Sequence, residues 1–131
     1  MGEPILIVDD NAVNSKLLSF LLETRGYDMR VAESAERAIE ILTTFTPRLI
    51  LMDIELPGMD GLTLTRMLRA DPATRDIVII AVTAYAMKGD EERAMAAGCD
   101  DYLSKPIDTR TLPATVAKHL AQPGSNPEDE R

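Results

Sequence analysis

Residues 49–53 read Leu-Ile-Leu-Met-Asp, a run of four large apolar residues that ends in a carboxylate. An apolar run of this kind is typical of a strand covered on both faces, as in the middle of a parallel sheet. The following residues include Pro57 and Gly58, which predict a turn. Because open α/β sheets bind ligands at the carboxyl ends of their strands, Asp53 is predicted to occupy a reactive position.

The remaining strand patterns predict a doubly wound fold around this run. Residues 5–8 and 77–82 are also wholly apolar, and more polar strand patterns begin near residues 28 and 101. Each of the five strand patterns is followed by a helical one. Such alternation is typical of an α/β domain with a parallel sheet.

Bulk composition narrows the class of protein. A length of 131 residues indicates one domain, and a net charge of −8 argues against nonspecific binding to nucleic acid. No apolar run is long enough to cross a membrane, and no signal peptide is recognised. A single cysteine, Cys99, excludes an internal disulfide and fits a reducing compartment. We therefore expect a cytoplasmic protein with protein or metal partners, without membrane insertion.

The first helical pattern, residues 12–25, carries one apolar stripe and one half-apolar stripe. We expect the larger stripe to pack on the sheet; its members are Val13, Leu17, Phe20, Leu21 and Thr24. A second stripe starts beside Asp10 and is either a docking surface for a partner or a set of singly exposed leucines. As a docking surface it would comprise, together with Pro106, the residues Asn11, Asn14, Ser15, Leu18 and Leu22.

Two further helices carry specific expectations. In the third helix, Leu64, Met67 and Leu68 are predicted to face inward. The last helix begins either near Thr111 or at Asp108, because proline two residues after Thr111 suits a first turn but removes a hydrogen bond further in.

Residues at the strand ends are predicted to place acidic, hydroxyl and ammonium side chains along one edge of the sheet. Asp9 and Asp10 follow the first strand, Asp53 ends the third, Thr83 ends the fourth, and Lys105 follows the fifth. Two carboxylates about 4 Å apart repel by roughly 4 kcal/mol at an effective dielectric near 20, and a divalent cation relieves this. Oxygen ligands select Mg²⁺, with Mn²⁺ as the alternative.

A phosphoryl group fits the rest of this edge. Lys105 and the hydroxyl of Thr83 would complement its oxygens, and a carboxylate can accept a phosphoryl group to form an aspartyl phosphate. No glycine-rich phosphate loop is present, which argues against a nucleotide substrate. Asp53 is therefore the candidate nucleophile.

Four stretches resemble the receiver domains of bacterial two-component response regulators. They are ILIVDDN at 5–11, LMDIELPGMDG at 51–61, AVTA at 81–84 and YLSKP at 102–106. The resemblance spans residues 4–121 and leaves 122–131 as a flexible acidic tail. It implies a five-stranded parallel sheet of flavodoxin-like order 2-1-3-4-5. Residues 83–93 look most like DivK-type single-domain regulators of the bacterial cell cycle, and receivers of hybrid histidine kinases carry similar stretches.

The resemblance also implies roles for the site residues. Asp53 would accept the phosphoryl group from a histidine kinase or a histidine phosphotransferase. Asp10, Asp53 and the backbone carbonyl of Glu55 would ligate Mg²⁺ directly, and Asp9 would act mainly through water. Lys105 would pair with the phosphoryl group, and its bond to Pro106 would be cis.

A switch is implied as well. The phosphoryl oxygens would draw the Thr83 hydroxyl inward, and the ring of Tyr102 would follow. The altered surface of the fourth helix, fifth strand and fifth helix would contact a downstream protein. Tyr85 and Glu55 would flank the path of the attacking water, and the bulk of Tyr85 predicts slow hydrolysis.

Three other kinds of protein are alternative hypotheses. A magnesium-dependent phosphatase with an aspartate nucleophile normally has a second Asp two residues later, where this chain has Glu55. A flavin-binding module on the same fold is disfavoured by the acidic edge and by the absence of tryptophan. A receiver excised from a hybrid histidine kinase is the third. The leading hypothesis is a phosphoacceptor signalling protein rather than an enzyme, without an output domain of its own.

Overall fold

The computed structural model describes residues 2–84 and 88–121, with only the backbone of Lys88. Strands and helices alternate along the chain in the order β1 (Pro4–Val8), α1 (Ala12–Glu23), β2 (Asp28–Ala32), α2 (Ala35–Leu42), β3 (Leu49–Asp53), α3 (Gly61–Ala70), β4 (Val78–Thr83), α4 (Lys88–Ala97), β5 (Asp101–Ser104) and α5 (Leu112–Ala121). The strands form one parallel sheet in the order β2-β1-β3-β4-β5. The predicted doubly wound, flavodoxin-like architecture is therefore confirmed.

β3 lies in the middle of the sheet and is buried on both faces. Its side chains alternate between two apolar clusters, with Ile50 and Met52 in one and Leu49 and Leu51 in the other. All four are at most 1% exposed. The uninterrupted apolar run thus reflects a strand with helices packed against both faces.

Parallel register brings the carboxyl ends of the central strands to one edge of the sheet. Val8 pairs with Met52, and Asp53 pairs with Val82. Thr83 pairs with Ser104, the residue that precedes Lys105. The amide of Lys105 also donates a hydrogen bond to the carbonyl of Thr83 at 2.7 Å. We call this edge the carboxyl rim.

The orientation of α1 is the reverse of the sequence prediction. Leu18 and Leu22 are 3% and 0% exposed, whereas Val13, Leu17 and Phe20 are 81%, 51% and 65% exposed. The prediction that the latter three pack on the sheet is wrong. Of the other two residues predicted inward, one packs against the core and one is exposed, namely Leu21 and Thr24.

The same burial contradicts much of the predicted docking surface. Ser15 is 4% exposed, and its hydroxyl donates to the carbonyl of Ala12 at 3.2 Å. Ser15, Leu18 and Leu22 are thus covered by the protein itself and cannot contact a partner. Pro106 is exposed, as a docking residue must be.

Hydrogen bonds at the start of α1 explain this orientation. Asn11 caps the helix, and its side chain accepts from the amide of Asn14 at 3.0 Å. The Asn14 side chain in turn donates to Asp9 at 3.2 Å. Leu18 and Leu22 follow Asn14 at intervals of four residues and therefore lie on the same face. Because Asn14 points at the carboxyl rim, this face is turned towards the sheet.

Two other expectations can be compared with the structure. Met67 in α3 is 45% exposed, so the prediction that it faces inward is wrong, although Leu64 and Leu68 are buried as expected. The regular part of α5 begins at Leu112, which favours the later of the two predicted starts.

An arginine clamp that the sequence did not reveal ties α3 to the strands beside it. The guanidinium of Arg69 donates to the carbonyls of Gly98, Arg75 and Ile77 at 2.6–2.8 Å, and it forms an ion pair with Asp100 at 2.8 Å. These charge-assisted bonds fix two connections, the one between α3 and β4 through Arg75 and Ile77 and the one between α4 and β5 through Gly98 and Asp100. Within residues 2–84 and 88–121, no helix is both long and apolar enough to cross a membrane.

Two leucines of α1 allow a matched test of its orientation. Leu22→Ala is expected to lower the free energy of unfolding by about 2–5 kcal/mol, because it leaves a cavity beneath the helix. Leu17→Ala should change it by less than about 0.5 kcal/mol, because half of that side chain is already in solvent. Urea denaturation of both variants measures the difference. Equal losses in the two variants would contradict the observed orientation.

Candidate functional site

Asp53 is buried at the carboxyl rim between a cation and a backbone amide. Its side chain is only 3% exposed. One carboxylate oxygen accepts from the amide of Glu55 at 2.9 Å, and the other accepts from the ammonium of Lys105 at 3.0 Å. The turn after β3 supplies the first bond and the end of β5 supplies the second, so the carboxylate is held in one orientation.

Asp9 and Asp10 complete an acidic cluster with Asp53. Carboxylate oxygens of the three residues lie within 4.8 Å of one another. Asp9 is buried and accepts from the amide of Asn11 at 2.9 Å as well as from Asn14. Asp10 is exposed. The structure thus brings together the three carboxylates predicted from the strand ends.

The electrostatics of the rim reflect crowding around one ammonium group. Burial raises the pKa of Asp9, against the opposing effects of its hydrogen bond from Asn11 and of Lys105. Burial alone would lower the pKa of Lys105, but its hydrogen bond to Asp53 and the surrounding carboxylates outweigh this and raise it. Lys105 lies 3.8 Å from Asp9, so a single cation serves two buried carboxylates.

The donor set of this cluster fits magnesium. It consists of carboxylate oxygens, two of them buried and one exposed, without histidine or thiolate in the group. Mg²⁺ characteristically takes one or two carboxylates and keeps several waters, and the exposed side of Asp10 leaves room for these. The sequence prediction of an Mg²⁺ site is therefore consistent with the geometry.

Thr83 and Ala84 form a pair of donors on the neighbouring strand end, and Glu55 occupies both. The Thr83 hydroxyl donates to one oxygen of the Glu55 carboxylate, and the amide of Ala84 donates to the other at 3.1 Å. Sequence reasoning considered only the backbone carbonyl of Glu55 as a ligand and missed this contact. A carboxylate two residues after a strand end, facing a neighbouring strand that ends in threonine, was the available signal.

Tyr102 lies at the amino end of β5 with its ring packed against the core. Its hydroxyl is buried and finds no hydrogen-bond partner among the residues that the structure describes. Burial raises the pKa of this hydroxyl, and the carboxylates of Asp90, Glu55 and Glu91 add to the effect. The ring thus occupies an inward position while the Thr83 hydroxyl is bonded to Glu55.

Backbone geometry around the rim includes two tight features. The peptide bond between Lys105 and Pro106 is cis, as predicted. At the start of α3, a Cβ on Gly61 would lie 2.4 Å from the carbonyl oxygen of Asp53, so only glycine lets the helix approach the end of β3 so closely. Tyr85, which was predicted to hinder hydrolysis, lies outside the described residues.

Comparison with known families identifies this architecture. The family model described as the response regulator receiver domain matches residues 5–117. The polar-differentiation response regulator DivK of Brucella ovis is 43% identical over 120 residues, which cover 92% of this chain and 98% of that protein. DivK of Brucella anthropi is 42% identical with the same coverage. The narrower resemblance to DivK-type regulators is thereby confirmed.

Solved structures agree with the sequence relatives. A putative response regulator from Chloroflexus aurantiacus superposes with a TM-score of 0.88 at 33% identity, covering 93% of this chain and all of that one. The receiver domain of the sensor histidine kinase PA1611 from Pseudomonas aeruginosa, which holds a magnesium ion in its active site cleft, gives 0.84 at 34% identity with the same coverage. With its fold, acidic cluster and strand-end residues in place, the chain belongs to the response regulator receiver domain family.

Proposed function

We propose that Asp53 accepts a phosphoryl group from a phosphohistidine of a histidine kinase or histidine phosphotransferase, and that the chain then signals through altered protein contacts. Phosphorylation on aspartate is general in this family. The observation that supports Asp53 is its position: a buried carboxylate at the carboxyl rim, held by Lys105 and flanked by two further acids.

The transfer needs little beyond positioning and charge neutralisation. A carboxylate oxygen of Asp53 attacks phosphorus, an oxygen–phosphorus bond forms, and the bond to the histidine nitrogen breaks with its electron pair going to the imidazole. Lys105 lies 3.0 Å from Asp53 and would neutralise the phosphoryl oxygens. Asp10, Asp53 and the carbonyl of Glu55 would hold Mg²⁺, which supplies further charge neutralisation when bound.

The phosphatase hypothesis fits the structure less well. In that class the acid two residues after the nucleophile must be able to give and take protons at the substrate. Here both oxygens of the Glu55 carboxylate are engaged by Thr83 and Ala84. The geometry therefore favours a phosphoacceptor over an enzyme that turns over phosphate esters.

The exposed stripe of α1 is a better docking candidate than Ser15, Leu18 and Leu22, the buried members of the predicted docking surface. Val13, Leu17 and Phe20 lie at spacings of four and three residues and form an exposed apolar face. This face begins two residues after the cap Asn11, which is bonded to the site carboxylate Asp9. A phosphohistidine must approach the same rim to reach Asp53. We therefore infer that an apolar helix face of the phosphodonor protein packs on this stripe.

The downstream partner would contact the surface formed by α4, β5 and α5. Tyr102 joins this surface to the site, and a groove between β5 and α5 is lined by Tyr102, Leu103, Pro106 and Leu112. A change at the carboxyl rim would reach the groove through Tyr102.

The proposed role places the protein in the cytoplasm, with residues 4–121 as the receiver and 122–131 as an acidic tail.

Asp53→Asn tests the phosphoacceptor. With Mg²⁺ and acetyl phosphate, the wild-type protein should gain about 80 Da, the mass of one phosphoryl group, in a form stable to acid and labile to base. Asp53→Asn should gain nothing, because an amide is a far weaker nucleophile. Asp76→Asn, an exposed aspartate near the start of β4, is the matched control and should label normally. Intact-protein mass spectrometry measures the adduct, and an unchanged yield in Asp53→Asn would contradict the assignment.

Mg²⁺ should stabilise the fold through the acidic cluster. At a hundredfold excess over its Kd, a ligand bound only by the folded state adds about 2.7 kcal/mol to the free energy of unfolding. Asp10→Asn should lose most of this gain, whereas its stability without Mg²⁺ should not fall, because one repulsive charge is removed. Thermal melts with and without Mg²⁺ measure both effects, with Asp76→Asn as control. A full Mg²⁺ response in Asp10→Asn would argue against its role as a ligand.

The α1 stripe can be tested separately from the chemistry. Phe20→Ala and Leu17→Ala should slow phosphotransfer from a phosphorylated histidine phosphotransferase by about tenfold, the equivalent of roughly 1.4 kcal/mol of lost contact. Labelling by acetyl phosphate, which needs no docking, should be unchanged. Met67→Ala, which alters a similarly exposed side chain on α3, is the control. Phosphotransfer reactions quenched at a series of times measure the rates. Unchanged transfer to both α1 variants would exclude this stripe as the docking surface.

A further inference from the structure

The carboxylate of Glu55 is held in two directions by groups of the neighbouring strand end. The Thr83 hydroxyl and the amide of Ala84 each donate to a different oxygen. Thr83 is fully buried, and Glu55 is half-buried. Hydrogen bonds to an ionised carboxylate are roughly twice as strong as those between neutral groups. The two donors therefore bind an anion, and that anion is a side chain of the same protein.

The same two donors lie just beyond the end of β3 on the neighbouring strand, because Thr83 and Ala84 directly follow Val82, the residue that pairs with Asp53. Asp53 and Glu55 are joined within one turn by the 2.9 Å hydrogen bond between the Glu55 amide and an Asp53 oxygen. A phosphoryl group has several anionic oxygens, and Lys105 is already engaged with Asp53 at 3.0 Å. The Thr83 hydroxyl and the Ala84 amide are the next donors along the carboxyl rim. They serve Glu55 in the unphosphorylated protein.

We propose that Glu55 is an internal ligand that occupies the phosphoryl-binding donors of Thr83 and Ala84, and that a phosphoryl group on Asp53 must displace it. The inference rests on the proposed function of Asp53 and concerns how that site is regulated. It assigns the Glu55 side chain a role separate from that of its backbone carbonyl.

Two consequences follow for the response of the protein. A ligand that must displace an internal competitor binds with an apparent affinity equal to its intrinsic affinity multiplied by the fraction of time that the donors are free. Glu55 also holds the Thr83 hydroxyl in the way a phosphoryl oxygen would, with the ring of Tyr102 inward. Phosphorylation therefore produces a smaller change at Thr83 and Tyr102 than it would if Glu55 were absent. The Glu55 side chain therefore lowers the affinity for the phosphoryl group, and it reduces the conformational change that phosphorylation causes at Thr83 and Tyr102.

Beryllium fluoride, a noncovalent mimic of a phosphoryl group, tests this directly in the full chain with saturating Mg²⁺. Glu55→Gln keeps the size of the side chain and removes its charge, and Glu55→Ala removes the contact. The half-saturating concentration of beryllium fluoride should fall about threefold in Glu55→Gln and about tenfold in Glu55→Ala. Nuclear magnetic resonance of the Ala84 amide follows the titration, and this amide should already shift in both variants before the mimic is added.

General repulsion between carboxylates is the main rival explanation, and two controls separate it. Glu36→Gln removes a charge beside the same loop, since a Glu36 oxygen lies 3.7 Å from the position of a Cβ on Gly58. It should leave the half-saturating concentration unchanged. In a Thr83→Ala background, the gain from Glu55→Ala should shrink, because one of the two contested donors is gone.

The outcomes are separable. If the wild-type protein fails to bind beryllium fluoride with Mg²⁺, the proposed function falls and this inference falls with it. If the wild type binds but the Glu55 variants match it in affinity and in the Ala84 resonance, only the inference is overturned. An equal gain from Glu55→Ala with and without the Thr83 hydroxyl would also overturn it, because repulsion would then suffice.

Discussion

The ion pair between Lys105 and Asp53 is the interaction on which the site depends. Burying a carboxylate costs hydration free energy on the order of several kcal/mol, so the group needs a compensating partner. The ammonium of Lys105 at 3.0 Å and the amide of Glu55 at 2.9 Å supply that compensation from two different elements. Because the partners come from the residue after β5 and from the turn after β3, the reactive group is stable only in the complete sheet.

The carboxyl rim also explains how chemistry and surface are coupled. Glu55 contacts Thr83 at the end of β4, and Tyr102 lies on the neighbouring strand β5. The Thr83 hydroxyl donates to Glu55 in this structure, and under the proposal it would donate to a phosphoryl oxygen on Asp53 instead. A phosphoryl group changes which anion Thr83 serves, and packed neighbours convert this into a change of shape. Under the proposed function, the event at Asp53 would be transmitted through this surface.

Much of this could be predicted from the sequence because parallel sheets impose strong constraints. Apolar runs such as residues 49–52 occur where both faces are covered, and their carboxyl ends must share one edge. The acidic cluster, Lys105 and Thr83 were therefore predictable in place and in kind. The face of α1 was not, because the stripe with more apolar residues, which includes Leu17, faces solvent, and the mixed stripe with Leu18 faces the sheet. Helical spacing groups residues into faces but does not say which face meets the sheet.

The sequence by itself determined the strand order that its family motifs imply, the edge at which Asp53 lies, and the identity of the groups around it. Only the tertiary structure decided where those groups point. The hydrogen bond from Asn14 to Asp9 accompanies an orientation of α1 in which Val13 and Phe20 face solvent. The pairing of β3 with β4 brought the side chain of Glu55 to Thr83 and Ala84. Such contacts depend on distances between elements far apart in the chain, and spacing along a sequence does not encode them directly.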